Sequence, residues 1–144
     1  MRKIIMLCFL AVGCGGSEQE DGGPITCDPA NRQGSYLMSF ETLSGNCGEQ
    51  ASALVRLDAD VDPFAGGCEP LASDRWSDGN CTLERRARCP FEEFAPGATI
   101  ESTMISTQQD AAGEVITGTL TMTLKNATGQ IVCFGTYGVD AVRQ

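Results

Sequence analysis

The sequence predicts a mostly β fold, an antiparallel meander of roughly five to six strands that forms a small barrel or sandwich and is stapled by disulfides. Three observations favour this fold. Apolar and polar residues alternate through segments rich in Thr, Ile and Val, which is the period of a half-buried strand. Glycine-containing turns separate the clearest of these segments. From residue 27 onward the chain contains six cysteines, an even number that is typical of a domain with disulfides.

The N-terminal part of the expected domain contains one clear strand and one ambiguous segment. Residues 34–42 alternate, so that Tyr36, Met38 and Phe40 share one face of a strand. Residues 51–57 are apolar but too short for periodicity to decide between a second strand and a helical turn.

A long segment without periodic pattern, residues 58–80, follows and is rich in Gly, Pro and Asp. Long loops in compact domains are usually functional or tied down. Residues 82–88 alternate only loosely and are interpreted as a strand if they form one continuous extended segment. Such a strand would separate Cys81 from Cys89 by roughly 26 Å at about 3.3 Å per residue, so these two cysteines are not expected to pair.

The C-terminal third carries the clearest strand pattern. Strands are expected over 99–107, 114–125 and 130–142, with hairpin turns at 110–113 and 126–129. Of the residues on the first of these strands, Ile100 and Met104 should face the core and Ile105 the solvent. The threonines of the second strand should face solvent, opposite a wholly apolar face.

The expected register of the last hairpin places Lys125 opposite Gln130. It also places Gly118 opposite Tyr137, so that the aromatic ring covers the glycine backbone on the neighbouring strand. Side chains fill the interior of a barrel of this size, which disfavours a roomy ligand cavity.

The six cysteines of the expected domain are predicted to form disulfides, and the sequence leaves their pairing open. They are Cys27, Cys47, Cys68, Cys81, Cys89 and Cys133.

The first residues have the pattern of a signal peptide. Arg2 and Lys3 precede an apolar run over residues 4–12, which is too short to cross about 30 Å of hydrocarbon at 1.5 Å per residue. The run ends in Leu10, Ala11, Val12 and Gly13 before Cys14, and this resembles the lipobox of bacterial lipoproteins. The resemblance implies cleavage after residue 13, acylation of Cys14 and a membrane anchor. The alternative is ordinary cleavage, which would leave a soluble secreted protein with Cys14 free.

The predicted organisation follows from this leader. Residues 1–13 are the signal peptide, 14–26 the lipidated cysteine with a flexible, acidic, glycine-rich tether, and 27–144 a single β-rich domain. Gly15 after Cys14 is not the aspartate that retains lipoproteins at the inner membrane in Gram-negative sorting systems. The resemblance therefore favours the outer membrane, at its periplasmic face or surface.

Charge and composition exclude several classes of function. The chain has a formal net charge of −9, which argues against nucleic acid as a partner and leaves the lipid as the means of membrane attachment. It contains no histidine, which removes His-based acid/base catalysis, Ser-His-Asp triads and the usual zinc ligand sets. No enzyme activity and no cofactor are predicted.

One cluster of residues is a candidate ligand patch: Arg75, Trp76, Arg85, Arg86 and Arg88. Arginine makes bidentate contacts to acidic groups, so the patch suits a carboxylated or phosphorylated glycan, a lipid headgroup or a protein partner. The alternative is that the arginines pair with glutamates on neighbouring strands and that the aromatic side chain caps the core.

An acidic cluster has the spacing of calcium ligands. Asp58, Asp60, Asp62 and Glu69 occupy positions that resemble one, three, five and twelve of an EF-hand loop. Pro63 stands where that loop needs glycine, so a solvated loop edge is the alternative interpretation.

Two functional hypotheses follow. The first is a lipid-anchored, non-catalytic binding module of the cell envelope, whose partner is an envelope glycan or a protein. The second is a purely structural envelope lipoprotein.

Overall fold

The computed structural model describes residues 25–57 and 67–144 of the 144-residue chain. The expected leader, Cys14, the tether up to residue 24 and Asp58, Asp60 and Asp62 lie outside the described residues. The described part contains a 3-10 helix, Pro29–Arg32, and eight strands: β1 Gly34–Gly45, β2 Ala53–Leu57, β3 Glu69–Pro70, β4 Arg75–Ser77, β5 Thr82–Pro90, β6 Thr99–Gln108, β7 Val115–Lys125 and β8 Ile131–Arg143.

All strands pair antiparallel in one sheet with the order β2-β1-β8-β7-β6-β5-β3, and β4 also pairs with β5. The strands from β5 to β8 form an up-and-down meander, and β1 adds to the far side of β8. The sheet curls into a half-barrel, which confirms the predicted all-β antiparallel fold. Within the described residues, β2 does not pair with β3 or β4, so the curled sheet is not closed.

The core lies on the concave face of the half-barrel. Tyr36, Ile116 and Tyr137 are fully buried there, and Met38 lies beside them. The predicted faces of β1 and β6 are confirmed: Met104 packs against the core, whereas Ile105 is 46% exposed on the convex face. A period of two in apolar residues was therefore sufficient to orient these strands.

The register of the last hairpin differs from the expected one by one residue at Lys125, because the turn is one residue longer, and by two residues from Leu124 onward. Lys125 pairs with Ile131, and Leu124 pairs with Cys133, so Val132 is an extra residue that bulges from β8. Gly118 lies opposite Val139 instead of Tyr137. A shift of two residues keeps every side chain on its face, which is why the predicted faces hold although the predicted pairs do not.

The segment 58–80 contains β3 and β4, which were not expected. Both pair with β5, as in the cross-strand pair of Trp76 with Leu83. Strands of two and three residues are too short to show a period in the sequence.

Three disulfides tie the loops to the sheet. Cys27 pairs with Cys81, Cys47 with Cys133 and Cys68 with Cys89, with Cα–Cα distances of 4.9, 5.1 and 4.0 Å. Cys81 and Cys89 lie at opposite ends of β5 and bind different partners, as predicted. Three disulfides in a domain of this size indicate an oxidising compartment outside the cytoplasm.

Candidate functional site: a cavity on the concave face

The concave face of the half-barrel contains a cavity of about 350 Å³ where the 3-10 helix crosses the sheet. The sequence disfavoured such a cavity because a closed small barrel is filled by side chains. The open half-barrel leaves this space instead. Its lining comes from the helix, β2, β4, β5, β6 and one loop aspartate: Pro29, Ala30, Arg32, Gln33, Leu57, Asp74, Trp76, Leu83, Arg85, Met104 and Ser106.

Strand pairing builds the apolar wall of the cavity. Trp76 of β4 lies directly opposite Leu83 of β5, and Met104 of β6 lies opposite Arg85. Leu57 ends β2 at the other edge of the sheet. Leu57, Leu83 and Met104 are partly buried and Trp76 is 37% exposed, so these side chains present apolar surface to the cavity.

The 3-10 helix places Arg32 in the cavity wall. Asp28 caps the helix by accepting a hydrogen bond of 2.9 Å from the Ala30 amide, and Pro29 begins the first turn. Arg32 is 7% exposed although it is charged. Burial is the main cause that lowers the pKa of its guanidinium, because desolvation disfavours the charged form.

The guanidinium of Arg32 is held by the sheet. Its Nη1 donates to the Cys81 carbonyl at 3.2 Å and to the Ser106 carbonyl at 3.3 Å. Its Nη2 donates to the Ser106 hydroxyl at 2.5 Å. The Trp76 ring lies 5.4 Å from the guanidinium carbon, a cation–π distance.

A second arginine of the cavity is paired with a carboxylate. Arg85 donates to both carboxylate oxygens of Asp74, from Nε at 3.1 and 3.2 Å and from Nη2 at 2.6 Å. This is the bidentate geometry that arginine and carboxylate favour. The described lining of the cavity therefore contains two arginines of different kinds. The charge of Arg85 is neutralised by Asp74, whereas Arg32 is bound only to neutral oxygens.

The structure divides the candidate patch between the two faces of the sheet. Trp76 and Arg85 line the cavity, whereas Arg75, Arg86 and Arg88 lie on the convex face. Because successive side chains of a strand point to opposite faces, neighbours in sequence such as Arg85 and Arg86 cannot share a site.

Two of the three convex arginines, Arg75 and Arg88, lie beside glutamates. Arg75 is 3.7 Å from Glu84, and Arg88 donates to Glu69 at 2.9 Å and to Glu101 at 2.8 Å. These are the cross-strand pairs of the alternative interpretation.

Glu101 lies at the centre of an ion-pair row on the convex face. Lys125 donates to it at 2.6 Å from one side and Arg88 at 2.8 Å from the other. These two hydrogen bonds, Lys125 first, lower the pKa of the Glu101 carboxyl. These ion pairs link β5, β6 and β7, so we interpret them as contacts that stabilise the sheet.

The calcium candidate is only partly described. Glu69 binds Arg88, and the three aspartates lie outside the described residues. Among the residues that the structure describes, no group of three or more His, Cys, Asp or Glu side chains is placed to hold a metal ion.

Arg32 is the functional candidate that the sequence did not reveal. It is a single arginine in a short segment without periodicity, and nothing in the sequence distinguishes it from an exposed residue. The separation of Arg85 from Arg86 and Arg88, in contrast, follows from strand alternation and was available from the sequence.

Comparison with models of protein families, with curated proteins and with solved structures gives no match. In the described ranges, no helix is both long enough and apolar enough to cross a bilayer.

Proposed function

We propose that this chain is a non-catalytic binding module of the cell envelope, which takes a small molecule into the cavity of the half-barrel. The observation that carries the proposal is a cavity of about 350 Å³ in which an apolar wall meets a buried arginine. Small-molecule sites are typically concave, mostly apolar and equipped with a few polar groups that fix orientation. The absence of histidine from the chain supports binding over acid/base catalysis.

The same proposal includes an anchor at Cys14, with the outer membrane as the favoured address. The support is the lipobox pattern before Cys14 together with the disulfides, which use all six cysteines from Cys27 onward. The described domain thus offers no cysteine partner for Cys14. Intact mass after purification from membranes tests this: we expect cleavage before Cys14 and added acyl chains, and a mass without acyl chains would contradict the anchor.

The tryptophan of the cavity provides a direct assay for binding. Trp76 is the sole tryptophan of the chain and lines the cavity, so its fluorescence reports on occupancy. The oxidised full-length chain is titrated with a single-chain amphiphile, sodium decanoate, below its micelle concentration. It carries Cys14→Ser, so that no acyl chain of the protein competes for the cavity. We expect a saturable change in Trp76 emission.

Two substitutions on one strand separate binding in the cavity from binding elsewhere. Leu57→Phe narrows the cavity, whereas Leu54→Phe adds the same ring on the convex face, where Leu54 is 70% exposed. We expect the first variant to weaken binding at least about tenfold and the second to leave it unchanged. Equal effects, or no saturable signal in the parent protein, would overturn the proposal and favour a purely structural envelope protein.

A further inference from the structure

We propose that the ligand of the cavity is a single-tailed carboxylate whose carboxylate group binds Arg32 and whose alkyl chain lies along the apolar wall. This inference rests on the proposed function and adds the chemical class of the ligand.

The hydrogen bonds of Arg32 leave one edge of its guanidinium unused. A guanidinium has five N–H donors. Both donors of Nη1 and one donor of Nη2 bind Cys81 and Ser106. Within the described residues, the Nε donor and the second Nη2 donor have no partner.

That edge is the one that binds carboxylates. Arg85 uses the same two nitrogens, Nε and Nη2, to hold both oxygens of Asp74. A planar carboxylate therefore matches the unused edge of Arg32, while Trp76 covers the face of the guanidinium.

The charge of the lining favours one negative charge on the ligand. Asp74 is bound to Arg85, and Arg32 has no ion pair with any residue that the structure describes. A buried charge is costly until it is paired, and the lowered pKa of Arg32 reflects this cost. A monoanion compensates one arginine, whereas a dianion would also face the carboxylate of Asp74.

The remaining lining favours an alkyl chain. Leu57, Leu83 and Met104 are partly buried and surround the space beside Arg32. An apolar tail would cover their surface and exclude water from it, which favours binding. A ligand with one carboxylate and one alkyl chain satisfies both parts of the cavity.

The test compares ligands that share a tail and differ in the head group. Decanoate, 1-decanol, decylamine and decyl phosphate are titrated against Trp76 fluorescence at neutral pH, each below its micelle concentration. We expect decanoate to bind about tenfold or more tightly than decanol, because a charge-assisted bidentate contact is added. Decylamine should bind more weakly than decanol, and decyl phosphate more weakly than decanoate.

Variants of Arg32 assign the difference to this residue. Arg32→Lys keeps a positive charge but lacks the two-donor edge, and we expect it to lose most of the preference for decanoate while decanol binding is retained. Arg86→Lys is the control on the convex face and should change neither. Because Arg32 also joins β5 to β6, near-ultraviolet circular dichroism is used to confirm that each variant is folded.

The possible outcomes separate the two proposals. If no probe gives a saturable signal, the proposed function fails. If decanol and decanoate bind equally, or decyl phosphate binds more tightly than decanoate, the cavity binds ligands but the carboxylate inference is overturned. Should Arg32→Lys leave the decanoate preference intact, the head group is not held by Arg32.

Discussion

The ring of Tyr137 occupies the space next to Gly135 on the concave face of β8. A Cβ placed on Gly135 would lie 2.5 Å from the Tyr137 hydroxyl and 2.7 Å from two ring carbons. Tyr137 has little room to move, since it is fully buried and donates a hydrogen bond of 2.9 Å to the Gly48 carbonyl. The glycine is thus required by packing inside a strand, where glycine is otherwise unfavourable.

Alanine at Gly135 should therefore destabilise the domain. We expect Gly135→Ala to lower the free energy of unfolding by about 1–3 kcal/mol, because the added methyl group overpacks a closed core. Gly138→Ala is the matched control on the same strand, where the nearest atom to a new Cβ is 3.8 Å away. Urea unfolding should place the control within about 0.5 kcal/mol of the parent protein, and equal losses in both variants would contradict this account of Gly135.

In each of two hairpin turns, one side chain accepts hydrogen bonds from backbone amides, but only one of these two side chains is titratable. In the β6–β7 turn, the Asp110 carboxylate accepts hydrogen bonds from the amides of Glu114 and Val115 at 3.1 and 3.0 Å. In the β7–β8 turn, the Asn126 amide oxygen accepts from the amides of Thr128 and Gln130 at 3.1 and 2.9 Å. Both side chains satisfy backbone donors that the turn leaves unpaired.

Of these two turns, only the β6–β7 turn should make the free energy of unfolding depend on pH. The amide hydrogen bonds, that of Glu114 first, lower the pKa of the Asp110 carboxyl. A lowered pKa in the folded state adds stability above the unfolded value of about 4, and this stability is lost as the pH falls through the folded value. The loss of unfolding free energy caused by Asp110→Ala should therefore be largest at pH 7 and should decrease at acid pH.

Asn126→Ala serves as the neutral control for the Asp110 prediction. It should cost about 1 kcal/mol at every pH, because the lost hydrogen bonds come from a group that does not titrate. Urea unfolding of both variants between pH 7 and pH 2.5 checks the difference. A deficit of Asp110→Ala that stays constant into acid would show that the carboxylate charge does not stabilise the turn.

Strand alternation in the sequence predicted the orientation of elements better than their exact partners. The shared face of Tyr36, Met38 and Phe40 and both hairpin turns were predictable, because they depend on local pattern and turn chemistry. The register of β8 was not, because the bulge at Val132 leaves no pattern that differs from a regular strand. The site was less predictable still: Arg32 reaches the cavity through contacts to Cys81 and Ser106 that are distant in sequence.

At the scale of the whole molecule, two disulfides fasten opposite ends of β5. Cys27–Cys81 lies at the end next to the 3-10 helix, and the Cys81 carbonyl also accepts a hydrogen bond from Arg32. Cys68–Cys89 lies at the other end, with a sequence separation of 21 residues against 54 for the first. The first disulfide therefore holds the cavity wall, whereas the second holds only the sheet edge.

Removing either disulfide should reduce stability, but only one should affect binding. We expect each double Cys→Ser variant to lose about 3–4 kcal/mol of unfolding free energy from the larger entropy of the unfolded chain. At a temperature where both remain folded, Cys27→Ser/Cys81→Ser should bind decanoate at least about tenfold more weakly, because the segment that carries the 3-10 helix and Arg32 loses its covalent link to the sheet and is less pre-organised. Cys68→Ser/Cys89→Ser should bind like the parent protein, and equal weakening of both would contradict the assignment.

The most direct test of the cavity as a binding site is a ¹H–¹⁵N spectrum of the oxidised full-length Cys14→Ser protein during titration with sodium decanoate. The sole tryptophan gives one indole N–H signal, and the Nε–H signal of Arg32 reports on the edge of the guanidinium that the carboxylate is expected to bind. The proposals predict that both signals shift together and saturate at one equivalent of bound ligand, while the side-chain Nε–H signal of Arg88, which is bound to Glu101 on the convex face, stays in place. Shifts confined to the convex face, or no saturable shift of the Trp76 indole, would contradict a ligand site in the half-barrel.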